Sequence, residues 1–319
     1  MSIAKKIHPA DIVKTFKHDE FKDLSATFIN MPLRESAKPN NTPEGPLILA
    51  SILRKYGVDV SLIDLNAYRI NDETAKSQGL ENGRYLNQRE TESLINTHLN
   101  QKGDQDIILL SGMITTLRWQ EIVASMIKKL QPDCFLVTGN GLATEIKEGL
   151  FNWIPELDAI ARSEGDDIIL TIASDAKLIK NKGWSKAIKS NQISPYFQGN
   201  INGKPKFVYE GNRPRNLENI PYAALDLLER DPYGKNLLEE YIQIPIWGLA
   251  ANNSSATPFE MKRSLSTISS RGCPYACAFC YRGSQGERNY GMKTAEHLAH
   301  QMQYYIDKYK IDFLGFVDD

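Results

Sequence analysis

The run Ile107-Ile108-Leu109-Leu110-Ser111 decides the fold class of the first half of this chain. It is continuous, apolar and of strand length, which is typical of a parallel strand covered by helices on both faces. Cys134-Phe135-Leu136-Val137-Thr138 repeats this pattern. Between the two runs, Leu117 to Leu130 predicts a helix that ends before Pro132. The strand–helix–strand unit indicates a parallel sheet.

Outward from this unit, strands and helices continue to alternate. Further strands are predicted at 26–31, 58–64 and 157–161, and further helices at 47–56, 87–101, 144–151 and 166–173. The alternation predicts an α/β fold with a doubly wound parallel sheet, Rossmann-like or flavodoxin-like. Ligands of such sheets bind beyond the carboxyl ends of the strands. Here that rim comprises the loops 31–45, 112–116, 139–144 and 163–166.

Composition and charge limit the possible classes of protein. The 319 residues are enough for two domains, and the hydrophobic fraction of 41% is that of a globular protein. The net charge of −1 gives no electrostatic signal for nucleic-acid binding. No apolar run approaches the roughly 18 residues of a membrane span. The N-terminus lacks the apolar segment of a signal peptide, and the cysteines are few. We therefore expect a cytoplasmic protein.

Three of the four cysteines fall within eight residues, as Cys273, Cys277 and Cys280. Their spacing, C-x₃-C-x₂-C, allows one loop to direct three thiolates at one metal centre. Thiolates select iron–sulfur clusters, zinc or Cu(I). Three cysteines leave one iron of a four-iron cluster open to another ligand.

A zinc site is the alternative, because structural zinc takes four ligands. The fourth could be His297 or His300, three residues apart in a predicted helix. The remaining cysteine, Cys134, lies among apolar residues of a predicted strand, and we expect a packed core thiol there.

The residues around the cysteines are more specific than the cysteines alone. Ser270-Arg271-Gly272 precedes the first cysteine, and the aromatic Phe279 precedes the last. This arrangement resembles the radical S-adenosylmethionine (radical SAM) superfamily. The resemblance implies a [4Fe-4S] cluster held by the three cysteines, with SAM at the open iron. It also implies four SAM-binding candidates: Phe279, Tyr281, Asp318 and Asp319.

The residues that follow resemble the start of a radical SAM barrel, a β/α fold of the TIM type. The predicted elements are a strand at 265–269, a helix from Ala295 to Tyr309 and a strand at 312–317. These are too few to close a barrel. We therefore expect a truncated chain whose C-terminal part packs poorly and which is inactive by itself.

The first half resembles the cobalamin-binding domain found ahead of many radical SAM domains. Three motifs carry this resemblance: Pro-Glu-Gly-Pro-Leu at 43–47, Thr-Gly-Asn-Gly at 138–141 and Arg-Ser-Glu-Gly-Asp at 162–166. The cobalamin-binding candidates that it implies are Gly45, Gly112, Thr115, Gly139, Asn140, Gly141, Glu164 and Gly165. No histidine lies between His18 and His98, so we expect binding without a histidine ligand to cobalt. The alternative is a degenerate domain that binds no cobalamin.

These patterns divide the chain into a cobalamin-binding-like domain (1–180), a connector (181–262) and the start of the radical SAM core (263–319). The connector contains a predicted hairpin that turns at Asn202-Gly203 and a short helix at 223–229. Pro205 predicts an edge position for the second strand of the hairpin.

The resemblance implies a cobalamin-dependent radical SAM enzyme, with methyl transfer to an unactivated centre as the first expectation. Oxidative cyclisation and rearrangement are alternatives of the same class, and a non-catalytic zinc module is one from another class. A methylthio-transferring enzyme fits less well, because the first domain contains a single cysteine. We expect a small-molecule or lipid-like substrate and an electron donor such as flavodoxin or ferredoxin. The sequence identifies no catalytic side chain.

Overall fold

A seven-stranded sheet forms the centre of the computed structural model. The structure describes residues 16–33, 41–68, 72–80, 83–190, 192–194, 197–201, 204–211, 217–242, 262–275, 277–278 and 290–318. The strands of the sheet are β1 (Ser25–Asn30), β2 (Asp59–Asp64), β3 (Ile107–Ser111), β4 (Phe135–Gly139), β5 (Ala159–Arg162), β6 (Phe197–Ile201) and β7 (Lys204–Glu210). Their order is β2-β1-β3-β4-β5-β7-β6.

Six of these strands are parallel, and only the edge strand β6 is antiparallel to its neighbour. The order β2-β1-β3-β4-β5 is flavodoxin-like, so the chain changes direction across the sheet between β1 and β3. The predicted α/β class and parallel sheet are confirmed.

Helices cover both faces of the sheet. They are α1 (Glu44–Lys55), α2 (Asp72–Ser77), α3 (Gln88–Lys102), α4 (Leu117–Leu130), α5 (Asn140–Ile146), α6 (Leu150–Trp153), α7 (Ile169–Lys182) and α8 (Trp184–Lys189). Along β3, Ile107 and Leu109 contribute to the core beneath α1 and α7. Ile108 and Leu110 face the core beneath α3 and α4. Burial on both faces explains why β3 is apolar without alternation.

The end of α1 shows how the chain turns between these layers. Gly57 has a positive φ of 95°. Its N–H donates to the Arg54 carbonyl at 3.0 Å, and the Val58 N–H donates to the Leu53 carbonyl at 3.2 Å. These two bonds form a Schellman motif, which satisfies the last carbonyls of the helix and directs the chain into β2.

The predicted hairpin is present as β6 and β7, but its position differs from the expectation. The strand that contains Pro205 is not an edge strand, because β7 lies between β5 and β6. Proline is tolerated there because Pro205 pairs only with Asn200 of β6, and the ladder to β5 begins at Phe207. The hairpin therefore extends the sheet of the first half. The short helix predicted at 223–229 is a 3₁₀ turn, Leu225–Leu228.

The C-terminal segment forms one β–α–β unit. The short helix α9 (Leu238–Tyr241) precedes it in the connector. The elements of the C-terminal segment are β8 (Ser264–Thr267), β9 (Ser270–Gly272), β10 (Tyr290–Met292), α10 (Ala295–Tyr309) and β11 (Phe313–Phe316). Strands β8 and β11 are parallel, with α10 between them. The barrel itself stays a prediction.

Among its described residues, the C-terminal segment is buried on one side and exposed on the other, so the expectation that it packs poorly stays a prediction. On the exposed side, Met292 and Phe316 are 57% and 47% exposed. Leu265, Tyr305 and Tyr309 are at most 7% exposed. They belong to the same apolar cluster as α1 and α7 of the first half. Helix α1 thus packs against the sheet on one side and contributes to the core against which the C-terminal segment packs on the other.

None of the helices in the described part of the chain is long and apolar enough to cross a membrane.

A buried polar chain links the strands β1 and β2 to helix α3. Thr27 Oγ1 lies 2.8 Å from Ser61 Oγ, which lies 2.9 Å from Nε2 of His98. Burial lowers the pKa of His98 from 6.5 to about 4. The folded protein therefore holds His98 neutral at a pH where the unfolded chain protonates it.

We predict that His98→Gln reduces the loss of stability in mild acid. Between the unfolded pKa of 6.5 and the folded pKa of about 4, the unfolded state binds the extra proton, so stability falls as pH falls. At pH 5 this single group costs the wild type about 2 kcal/mol relative to pH 7.5. Urea unfolding at both pH values measures the difference. His18→Gln is the control, because the His18 side chain is 77% exposed. An equal pH dependence in wild type and H98Q would contradict the prediction.

Candidate functional site

A cavity of about 320 Å³ lies at the carboxyl edge of the parallel sheet. It opens beside the crossing between β1 and β3, where doubly wound sheets bind ligands. Its inner wall is apolar and comes from β1, β3, β4, α1 and α7. The residues of that wall are Phe28, Ile48, Leu49, Leu109, Val137, Ile168, Ile169 and Ile172.

The mouth of the cavity is polar on the sheet side. Ser111 ends β3, Gly139 ends β4, and Asn140 begins α5 at the same edge. Asn140 has a positive φ of 73° and donates from Nδ2 to Ser111 Oγ at 3.3 Å. Its Oδ1 accepts the Gly141 N–H at 2.6 Å. The side chain therefore holds the turn after β4 in place.

The opposite wall belongs to the C-terminal segment. Ile268, Ser270, Arg271 and Val317 line the cavity together with the sheet edge. The cavity thus lies between the first half of the chain and the strand that leads to the cysteines.

Five of the eight predicted cobalamin-binding residues lie together at this cavity: Gly45, Gly139, Asn140, Glu164 and Gly165. Gly112, Thr115 and Gly141 do not line it. Gly112 is instead required by packing, since a Cβ there would lie 2.2 Å from Thr116 Oγ1. Thr115 is exposed in the next turn. Sequence position indicated the loops at the carboxyl edge of the sheet but could not show which of their residues face the cavity.

Charged side chains meet at the mouth. The Arg271 guanidinium donates from Nη1 to Asp166 Oδ2 at 2.6 Å and lies 3.4 Å from Glu164 Oε2. The three side chains are 13%, 11% and 20% exposed, respectively. The second carboxylate oxygen of Asp166, Oδ1, is buried and has no hydrogen-bond partner among the described residues. It is therefore available to a ligand that brings a donor.

Glu44, at the start of α1, joins the same mouth. Its Oε1 accepts a hydrogen bond from Thr267 Oγ1 at 2.9 Å. Desolvation raises the pKa of Glu44, opposed by the nearby charge of Lys293. Burial in turn lowers the pKa of Lys293. These charges are sensitive to how closely the two halves pack, because each is partly removed from water.

The root of the cysteine loop is fixed by hydrogen bonds. Asp318 Oδ1 accepts the backbone N–H groups of Ser269 at 2.6 Å and Ser270 at 2.9 Å. Lys293 Nζ donates to the Ile268 carbonyl at 2.7 Å and to Gln301 Oε1 at 2.8 Å. Strands β9 and β10 pair antiparallel from Ser270–Gly272 to Tyr290–Met292 and close the base of the loop.

The cysteines themselves are only partly described. Cys273 is half-buried, Cys277 is exposed, and both are free thiols. Cys280, Phe279, Tyr281 and Asp319 lie outside the described residues. Within the described part, no group of three or more His, Cys, Asp or Glu side chains is arranged to hold a metal ion. Neither His297 nor His300 therefore completes a site with Cys273 and Cys277 there.

Cys134 is a core residue, as predicted: it is 4% exposed, and burial raises the pKa of its thiol to about 12. Such a thiol stays protonated and is a poor metal ligand.

Three charged residues of the mouth were not predicted as site residues: Glu44, Asp166 and Arg271. Each lies inside a motif that the sequence brought forward, but as a neighbour of the glycine or the cysteine. The available signal was charge: an arginine directly before the cysteine loop and two acids, Glu164 and Asp166, directly after a parallel strand.

Comparison with known proteins gives distant similarities. No family model matches the chain. It is 24% identical over 221 residues to an uncharacterized methyltransferase of Pyrococcus horikoshii, an alignment that covers 69% of this chain and 40% of that protein. It is 22% identical over 216 residues to the anaerobic magnesium-protoporphyrin IX monomethyl ester cyclase of Rubrivivax gelatinosus, covering 67% of this chain and 33% of the cyclase. Both relatives are named as enzymes, and the alignments span less than half of each.

Among solved structures, two crystal forms of a protein assigned as a phosphomethylpyrimidine kinase from Bacteroides thetaiotaomicron match part of the chain. The TM-scores are 0.27 and 0.26 at 16% identity. Each match covers 48% of this chain, and they cover 59% and 60% of the kinase chains. A likeness at this level supports no conclusion.

We predict that Gly211→Ala displaces the acidic loop of the mouth, residues 163–166. A Cβ at Gly211 would lie 1.7 Å from the Glu164 carbonyl oxygen, so the loop has to move. Overpacking of this kind costs about 1–3 kcal/mol, which urea unfolding measures.

Gly149→Ala is the matched control for this substitution. Its Cβ would meet Ile146 Cγ2 at 3.6 Å, an ordinary contact, in helical backbone. Alanine there is expected to stabilise by about 0.5–1 kcal/mol. If G211A is as stable as wild type, the packing of this loop is not as described.

Proposed function

We propose that this chain carries the cobalamin-binding and cluster-binding parts of a radical SAM enzyme that transfers a methyl group. The observation that carries the proposal is the shared cavity. One wall is the carboxyl edge of a doubly wound sheet, and the other is the strand whose residue Arg271 lies two positions before Cys273. A cofactor bound at the sheet edge and a metal centre held by the cysteines are thereby neighbours.

The cavity suits part of a cobalamin molecule. Its volume of about 320 Å³ lies at the lower end of ligand pockets. This is too small for a corrin ring but suits the flat base and ribose of a nucleotide tail. The apolar inner wall matches the base, and the unpaired Asp166 Oδ1 matches a hydroxyl or amide donor.

The cysteine loop supplies the second part of the proposal. Cys273, Cys277 and Cys280 would hold the cluster. When bound, the cluster would supply an electron for the cleavage of SAM, and cobalamin would carry the methyl group. Within the chain, Asp318 and Lys293 fix the root of the loop. Asp318 also remains a candidate for the SAM ammonium, because a carboxylate accepts more hydrogen bonds than the root of the loop uses.

Methyl transfer is favoured by the similarity to the Pyrococcus protein, which is named a methyltransferase. The similarity to the Rubrivivax enzyme, named a cyclase, favours oxidative cyclisation as the second candidate. The two reactions use the same cofactor sites. Assays with candidate acceptors, analysed by mass spectrometry for a gain of one methyl group or a loss of hydrogen, separate them.

We predict that Cys273→Ser abolishes cluster binding. Wild-type protein reconstituted with iron and sulfide under anaerobic conditions is expected to hold about four irons per chain. The variant is expected to lose most of this iron, because two thiolates do not hold the cluster. Iron and zinc analysis measures both metals. Cys134→Ala, a change in the core, is the control and keeps its iron. Full iron in C273S, or zinc that iron cannot displace, would overturn the cluster assignment.

We predict that Ala161→Phe fills part of the cavity and lowers the affinity for hydroxocobalamin by about tenfold or more. The ring and the ligand would compete for the same space, and forcing both into it costs about 1–3 kcal/mol. Ala161 lines the cavity beside Gly139. Absorbance titration with hydroxocobalamin measures binding. Ala161→Ser changes little volume and is the control. Iron content is expected to stay unchanged in both variants. Unaltered cobalamin affinity in A161F would exclude this cavity as the site.

A further inference from the structure

We propose that Arg271 is a positioning residue that couples ligand binding in the cavity to the metal centre of the cysteine loop. The proposal rests on the proposed function, since it takes cobalamin as the ligand and the cluster as the metal centre. It assigns to one ion pair the link between the two cofactors.

The backbone places Arg271 at the base of the loop. In the β9–β10 ladder it lies opposite Gly291, and the next pair, Gly272 and Tyr290, is the last before the loop. Gly272 has a positive φ of 91°, and Cys273 follows it. A shift of Arg271 therefore shifts the first cysteine, because only one residue separates them.

The side chain of Arg271 points the other way, into the cavity mouth. It reaches Asp166 at 2.6 Å and Glu164 at 3.4 Å, on the loop that follows β5. At 13% exposure this contact is largely out of water, where the loss of one partner leaves an uncompensated buried charge. The arrangement favours one position of the loop root over others.

Asp166 makes this contact two-sided. Its Oδ2 is engaged by Arg271, whereas its buried Oδ1 has no hydrogen-bond partner among the described residues. Both Asp166 and Arg271 line the cavity. A ligand that donates to Oδ1 holds the carboxylate in the orientation that also receives Arg271. Ligand binding and the seating of the loop root therefore stabilise each other.

Such coupling is reciprocal and measurable. If the cluster fixes the root of the loop, it also fixes Arg271 in the cavity wall and tightens ligand binding, and ligand binding tightens cluster retention by the same factor. Couplings of this kind amount to about 5–150-fold in affinity.

The test measures the affinity of the full chain for hydroxocobalamin by absorbance titration, once with the cluster and once without it. In wild type the cluster is expected to tighten binding about fivefold or more. In Arg271→Gln this factor is expected to fall to about one. A loss of general stability does not produce that result, because each variant is compared with itself.

Arg263→Gln is the matched control. Arg263 also forms an ion pair in the C-terminal segment, with Glu239 at 2.8 Å, but neither residue lines the cavity. This variant is expected to keep the wild-type factor. Asp166→Asn breaks the same junction from the other side and serves if R271Q does not fold. Adding D166N to R271Q is expected to change the factor no further.

The outcomes separate this inference from the proposed function. Wild type that binds hydroxocobalamin equally with and without the cluster, or R271Q that keeps the full factor, overturns the coupling and leaves the two cofactor sites in place. Wild type that binds no hydroxocobalamin overturns the cobalamin assignment, and the coupling with it. Loss of the factor in both R271Q and R263Q assigns it to domain packing instead of Arg271.

Discussion

Six parallel strands bring their carboxyl ends to one edge of the sheet, and the candidate site depends on this constraint. The loops after β3, β4 and β5 therefore meet at this edge. Helix α1 begins at the same edge, so its first residue, Glu44, reaches across to Thr267 of the C-terminal segment. The sheet thus determines both the position of the cavity and the place where the second part of the chain docks.

Buried charge then decides how the docked segment is oriented. An apolar contact such as that of Leu265 and Tyr305 with the α1 core stabilises docking but tolerates sliding. A buried arginine between two carboxylates tolerates little displacement, because moving Arg271 leaves buried charges without partners. Buried ion pairs add little net stability, so the effect of this one is to fix the orientation of the docked segment. The apolar core holds the C-terminal segment against the first half of the chain, and the ion pair fixes the position of that segment.

The sequence was sufficient for the local part of this architecture. Strand β3, helix α4 and helix α10 were predicted with their observed ends, because apolar runs and helical periodicity are local signals. The sequence was not sufficient where the structure depends on which distant segments pair with each other. Pro205 suggested an edge strand, yet proline also fits an inner strand at a position before the second ladder starts. The contact of Arg271 with Asp166 joins residues 105 positions apart, and no periodicity in a single sequence reports such a contact.

The same reasoning explains why the site divides into a fixed part and an adaptable part. The root of the cysteine loop is held from three directions, by Asp318, by Lys293 and by Arg271. Of these, Arg271 is the one whose side-chain partners lie in the first half of the chain, on a loop that also lines the cavity. Asp318 and Lys293 bind the root from within the C-terminal segment, whereas the Arg271 contact depends on an acidic loop that lines the cavity from the first half of the chain. Of the three anchors, Arg271 therefore links the root of the cysteine loop most directly to the sheet edge of the cavity.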